Sequence, residues 1–469
     1  MCSVSGSANL FAQSPNDTVI FSPLGKFDFN FTYSGYTPLI DRLGRPFVYL
    51  ASKELGLVTF DISNTLNPVP IDTQTVASLS NLKVTGVAQD GNYLLVSLGD
   101  FQGTNQNAGL AIYNVADPYS PVLLDRWDTA AFNNGTSTVI RQGNYAYLGV
   151  MQKGVVILDI SDKHRIKFVS QIIPDTTFGT HSYVYHSRGL FISGDTLLVA
   201  DDNGGLRVID VTSKQNPVET GKFLSNSISS VAAVYYNHVY RIGNRAFCAM
   251  DYCGFEVVDV SNPSAMSEVS WLNPWNCTNV PPPFGSWLGS YGHTNEIAYS
   301  ATQNVLMFSG GDSQVLALDP TNPAQPRIMG AWGAPNDSVG SWGTDVYGNM
   351  VAIANVHTFG FPFVSTTGGL QLLNWNRITG IEDPDVKPGQ LYLYPNPTRE
   401  NLTVRIPGND NKQIELEIFN TLGQIVFQHQ TTGTGKLTLD LSHITDGIYF
   451  IRATPGMGTV FSRKLIIAR

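Results

Sequence analysis

The most regular feature of this chain is a short apolar phrase, closed by Asp or Asn, that returns seven times. It reads LVTFD (57–61), LAIYN (110–114), VVILD (155–159), LRVID (206–210), FEVVD (255–259), VLALD (315–319) and LQLLN (370–374). The closing residues, Asp61, Asn114, Asp159, Asp210, Asp259, Asp319 and Asn374, follow one another at intervals of 45 to 60 positions. Five copies continue into a turn carrying Asn or Asp, Pro, or both, as in DISNTLNPVP and DVSNPSAMSE. Ahead of the phrase, a glycine-containing turn such as Gly143-Asn144 or Gly243-Asn244 leads into an apolar strand (YAYLGV, RAFCAM). Behind it, the Pro-containing turn leads into another (PVLLDRWD, PRIMGAW). A repeat of this period denotes stacked or radial units, each too small to bury its own core.

With the segment before the glycine, each unit holds four short antiparallel strands, the content of one propeller blade. In four units the step from the turn residue to the closing Asp is 16: Gly143 to Asp159, Gly194 to Asp210, Gly243 to Asp259 and Gln303 to Asp319. The chain is therefore expected to be all-β, a seven-bladed β-propeller followed by a small C-terminal β-sandwich. The seventh unit lacks a fourth strand, since RITGIEDPD after Trp375 reads as a loop. Residues 27–33, FDFNFTY, alternate Phe27, Phe29, Phe31 and Tyr33 at the period of a half-buried strand. They are expected to close the seventh blade and remove the exposed edges. The expected organisation is a tail or signal-peptide remnant over 1–26, the propeller over 27–378, a linker over 379–390, and the sandwich over 391–469.

Composition narrows the function classes. The chain has 469 residues, 44 Gly and 26 Pro, but only 14% charged residues, well below the roughly 25% of ordinary domains. That profile suits short strands joined by many turns. A formal charge of −9 argues against nucleic acid, which needs a basic face. No stretch approaches the apolar length of a spanning helix. The first residues lack the charged start and apolar core of an intact secretory signal. SGSANLFAQSPND (5–17) reads either as the tail of one, with cleavage near Gln13, or as a disordered segment. No lipobox precedes Cys2.

Two resemblances follow from these motifs. The closing phrase resembles the LVIVD repeat of bacterial surface propellers, across roughly residues 45–376. The C-terminal strands LYLYPNPTRENLTVRI, IELEIFNTLGQIVFQ, LTLDLSHITDGIYFIRA and SRKLIIAR resemble the type IX secretion sorting domain of Bacteroidetes. The matching residues are Tyr394-Pro395-Asn396-Pro397, Asn420 to Gly423, Gly447 to Phe450 with Tyr449 and Arg452, and Lys464-Leu465-Ile466-Ile467. That resemblance implies the type IX machinery as a partner, export across the outer membrane, and a propeller released or held at the cell surface.

Loop lengths point to one face. Blades are numbered 1 to 7 by their closing residues, and the strands of each run a to d from the channel outward. The b–c turns and d–a links then emerge on one side. The b–c turns of blades 2 and 7 and the link from blade 5 to 6 carry the large insertions, all on that side. Such loops on a rigid scaffold usually carry function. The 5–6 link holds Trp275, Trp287 and Tyr291, the blade 7 turn holds His357 and Phe361, and the neighbouring 6–7 link adds Trp342. These are expected to form an aromatic platform for an extracellular glycan or protein, although each ring has packing of its own loop as an alternative role. His181, His293, Glu296 and Asp345 begin or precede inner strands and are candidates for the central channel. They leave a propeller hydrolase or lyase as the second reading. No metal, cofactor, HExxH, GxSxG or phosphate loop is expected, and the chain is expected to act as a monomer.

Export exposes cysteines to oxidation. Cys253 lies in the b–c turn of blade 5 and Cys277 in the long link leaving that blade, so a Cys253–Cys277 disulfide is expected, with Cys248 a buried free thiol. The rival assignments are Cys248 with Cys253, or three free thiols.

Overall fold

The structure, a computed structural model, describes residues 17–101, 105–177, 186–229, 234–251, 253–274, 293–310, 314–333, 339–357, 365–378, 391–455 and 460–468. It divides into two compact units, Met1–Thr379 and Gly380–Arg469.

Among the described residues the first unit holds seven four-stranded antiparallel sheets. Their inner strands are Thr37–Ile40, Val84–Asp90, Thr138–Gln142, His186–Ser193, His238–Ile242, Ile297–Ser300 and Gly340–Tyr347. Each touches the next and the last returns to the first, so the sheets close a ring of seven blades.

The repeated phrase explains both the blade and the ring. It is the third strand of its blade and is buried on both faces, hence mostly apolar rather than alternating, with Thr59, Arg207, Glu256 and Gln371 as the polar exceptions. In blade 3, Val156 and Leu158 enter the layer shared with blade 2, while Val155 and Ile157 enter the layer shared with blade 4. Burial of each such side chain contributes roughly 1.5–3 kcal/mol. The terminal Asp has a separate task. Its Oδ1 accepts the backbone N–H two residues on, as Asp61 does from Ser63, Asp159 from Ser161, Asp210 from Thr212 and Asp259 from Ser261 at 2.7–2.9 Å. This Asx turn ends the strand and starts the c–d connection. At the same end of the blade, Gly143 of the a–b turn has φ of +56°, a left-handed conformation that costs glycine nothing.

The N-terminal strand does complete blade 7, but it is Thr18–Asp28, not 27–33, and it takes in residues 18–26 of the segment expected to be a tail. It pairs antiparallel with Gly369–Ile378, from Thr18 opposite Ile378 to Asp28 opposite Gly369. Asp17 locks its start: the carboxylate meets Arg377 at 2.6 Å, and both side chains are buried. The strand stops at Asp28 because its Oδ1 accepts from Asn30 N, and Asn30 and Phe31 then turn with positive φ. Phe27 and Phe29 pack instead on Phe60 of blade 1, at 5.3 and 6.5 Å between ring centroids. The aromatic alternation thus reports burial around a turn.

The second unit is a five-stranded antiparallel sheet. Its two long strands, Asn401–Phe419 and Ile425–Asp440, pair with each other, and Asn401–Phe419 also pairs with Tyr392–Tyr394 near its start and with Gly447–Pro455 near its end. One core unites both ends, including Leu393, Leu402, Leu416, Ile418, Leu439, Tyr449 and Leu465. The Asn396 amide donates to Lys464 O and accepts from Ile466 N, both at 2.8 Å, tying the Tyr394–Pro397 segment to the last strand. Both X–Pro bonds of that segment, at Pro395 and Pro397, are cis. Asn420 accepts from Leu422 N and Gln424 N at 3.0 Å and so closes the hairpin turn. Tyr449 donates to Thr445 O at 2.8 Å and packs over Gly447.

Candidate functional site: the channel mouth

The inner strands begin with short polar side chains, and these stitch one blade to the next around the channel. Thr37 Oγ1 donates to Thr85 O (3.1 Å), Thr85 Oγ1 to Thr136 O (2.5 Å), and Ser137 Oγ to Arg188 O (3.0 Å). Arg188 donates to Asn237 Oδ1, and Asn237 Nδ2 donates to Thr294 O at 2.8 Å. Such bonds satisfy backbone groups that the curved inner edge leaves unpaired. The space they enclose admits the centres of water molecules over only about 20 Å³, enough for about one water.

Buried charge is concentrated here. Burial pushes the Asp202 carboxyl up to about 7, against the pull of Arg188, whose guanidinium lies 3.5 Å away. Burial likewise pushes Glu296 up to about 8, although a hydrogen bond with Thr37 at 2.5 Å and one from the Thr344 backbone oppose it. His238, half-buried, is driven down to about 4 by burial and by Arg188. Arg188 Nε, His238 Nδ1 and Asp202 Oδ1 have no hydrogen-bond partner among the described residues.

The raised Glu296 value gives a signed expectation. The folded state holds a proton between the ordinary value of 4.5 and about 8 that the unfolded state releases. Stability therefore falls as pH rises through that window. Glu296→Gln keeps the shape without the charge. It is expected to gain on the order of a few kcal/mol over the parent by pH 9 and little at pH 4. Urea melts across that range check it, and a parallel pH dependence in both proteins would contradict it.

Above the channel sits an aromatic cluster drawn from distant segments. Tyr36 comes from the link into blade 1, Phe101 from the long b–c turn of blade 2, and Trp342 from the inner strand of blade 7. Their centroids lie 6.2 Å (Tyr36–Phe101), 5.0 Å (Tyr36–Trp342) and 6.3 Å (Phe101–Trp342) apart. The Arg188 guanidinium stands 5.5 Å from the Phe101 ring and 5.9 Å from the Trp342 ring. Lys53 Nζ lies 5.2 Å from Tyr36 and 3.1 Å from Asp100. His293 stacks on Trp342 at 5.4 Å and pairs with Asp251 at 2.8 Å. Tyr36 is buried, whereas Phe101 and Trp342 remain half-buried and open to a partner. Cations held against aromatic faces in this way are stabilised by the ring quadrupole.

The sequence candidates separate accordingly. Trp342, His293 and Glu296 come together at the channel and its mouth. Asp345 adds through its charge to the rise of Glu296, but its own oxygens are engaged elsewhere: Oδ2 accepts from Ile40 N at 2.8 Å and the other pairs with Arg42, fastening blade 7 to blade 1. His357 lies apart from Trp342 and meets Phe31 at 5.5 Å. Trp275, Trp287, Tyr291, Phe361, His181 and Cys277 lie outside the described residues. Cys253 is disulfide-bonded and Cys248 is a buried free thiol, so those two are not paired with each other. Tyr36, Phe101, Arg188 and Asp202 escaped the sequence reading; the signal available was the length of the loop holding Phe101. Among the described residues no three or more His, Cys, Asp or Glu side chains group as metal ligands, and no helix is long and apolar enough to cross a membrane.

Comparison with known proteins agrees with this architecture. Residues 136–172, 186–225 and 238–273 match the LVIVD repeat, and residues 392–468 match the secretion system C-terminal sorting domain. No curated protein is detectably similar in sequence. Solved structures of similar shape include YCF48 from Cyanidioschyzon merolae, 8% identical, with a TM-score of 0.48 over 76% of this chain and 98% of that one. Another is the computationally designed Ika8 protein, 9% identical, with a TM-score of 0.44 over 75% and 98%. The sorting domain marks a protein exported by the type IX secretion machinery to the cell surface or the extracellular space.

Proposed function

We propose that this exported LVIVD-repeat propeller captures an extracellular ligand, a glycan or a protein surface, on the face around the channel mouth. The observation that carries the reading is the half-buried Phe101–Trp342 pair with Arg188 against both rings. It is assembled from three different blades at the channel mouth. Side chains that share no strand meet where the longest connections emerge, and aromatic and arginine anchors of this kind dominate binding energy. Trp275, Trp287, Tyr291, His357 and Phe361 belong to connections that leave from the same face by topology and would extend the platform.

The test is an array of neutral and acidic oligosaccharides, together with cell-surface protein extracts, probed with the parent and with Phe101→Ala and Trp342→Ala. Each substitution is expected to weaken the strongest signal by roughly thirtyfold, the effect of a hot-spot truncation, and to leave the melting temperature within a few degrees. Unchanged binding in both variants would contradict the assignment.

A further inference from the structure

A second feature of the same face lies between blades 6 and 7, where the repeat breaks its own rule. Seven residues beyond the turn glycine, blades 2, 3 and 5 bury Leu98, Val150 and Met250, whereas blade 7 buries Asn355, only 1% exposed. Three residues before the closing Asp or Asn, blades 1, 2, 3 and 6 bury Val58, Ala111, Val156 and Leu316, whereas blade 7 carries Gln371. Period-two alternation puts Asn355 on the face of Val351 and Ile353, and Gln371 on that of Leu373 and Trp375. Those four side chains form the apolar layer with Val305, Met307 and Val315 of blade 6. The two amides therefore stand where the layer would otherwise continue.

Blade 4 shows that such a double replacement can close on itself. There the same two positions hold Asp201 and Arg207, and the Arg207 charge lies close enough to oppose the rise in the Asp201 carboxyl that burial causes. Arg207 also donates to Gly204 O at 2.6 Å and pairs with Glu219 at 2.9 Å. In blade 7 the amides border a cavity of about 300 Å³, together with Gln314, Thr367, Trp332 and Lys26. Asn355 Oδ1 is buried and has no hydrogen-bond partner among the described residues. An orphaned amide oxygen is costly unless something supplies a donor.

We propose that this cleft binds one sugar residue of an extracellular glycan and prefers a hexuronic acid. Three amides and a hydroxyl present donors and acceptors together, as vicinal hydroxyls require. The half-buried Trp332 ring offers an apolar wall for the C–H face of a pyranose. Lys26, exposed and directly opposite Gln371 across the strand pair, places a cation at the rim for a carboxylate. A volume of this size sits at the lower end for small-molecule sites, which limits the occupant to about one ring. The inference rests on the glycan form of the function proposed above and names its chemical class.

The experiment is saturation-transfer NMR on the full chain with glucuronate, galacturonate, glucose and galactose. Saturable binding is expected, with the acids about fivefold tighter than their neutral parents, as one exposed ion pair allows. Asn355→Leu with Gln371→Leu gives blade 7 the apolar pattern of blades 2 and 3; it should abolish saturation while the melting temperature holds or rises. Lys26→Gln, on the surface, should keep neutral-sugar binding and erase the preference for acids. Absence of saturation with all four sugars, or equal saturation in the double variant, would overturn the proposal. Array binding lost in Phe101→Ala but intact in the cleft variant would overturn it too, while leaving the channel-mouth reading in place.

Discussion

Deleting residues 1–28 is expected to cost the propeller most of its stability, leaving protein that aggregates or melts far below the parent. That strand is the only fourth strand blade 7 has among the described residues. It places Val19 and Phe21 in the layer with blade 6, and Leu24 and Phe27 in the layer with blade 1. At roughly 1.5–3 kcal/mol per large apolar side chain, the loss is comparable to the whole stability of a typical domain. A milder variant isolates the latch. Asp17→Asn takes the nearer of two carboxylates from the buried Arg377 and leaves Asp319 at 3.9 Å, so its cost should not exceed the about 3–5 kcal/mol of a buried ion pair broken outright. Thermal and urea melts of both variants check this. A deletion that melts like the parent and stays monodisperse would show that the ring does not depend on its N-terminal strand.

Removing residues 380–469 is expected to have the opposite profile: export abolished, propeller intact. The second unit has its own core, in which every buried side chain comes from residues 391–467. None of the seven interblade layers needs a residue beyond Trp375. Residues 1–379 expressed in the cytoplasm should give a soluble β-protein with the melting transition of the parent propeller. In the native host the truncated chain should remain inside the outer membrane. Surface display of the truncated protein, or failure of the propeller to fold alone, would contradict the division of labour.

Much of this architecture was legible because one physical device repeats. The doubly buried phrase and its closing Asx turn mark the third strand of each of the first six blades, and the outer strands follow by position. The closing strand was misplaced for a physical reason. Pro23 and Gly25 interrupt its alternation, and its register shifts between Pro23 and Lys26, whereas 27–33 alternates cleanly yet turns. The site was harder to read. Channel residues are scattered over different blades, so Thr37, Arg188 and Asn237 carry no local motif. Trp342 and His357 both read as loop residues in the sequence, but Trp342 lies in the inner strand of blade 7 against Tyr36 and Phe101, and His357 meets Phe31. Asn355 and Gln371 were visible as breaks in the repeat, and their meaning emerged only once both were seen to face the same layer.

The central claim, that ligand docks around the channel mouth, is tested most directly by hydrogen–deuterium exchange of the propeller with and without the strongest binder from the array. Protection is expected in the segments around Tyr36, Phe101, Arg188 and Trp342, with the c–d turns that follow Asp159, Asp210 and Asp259 unchanged. Protection confined to those turns, on the opposite face, would contradict the account.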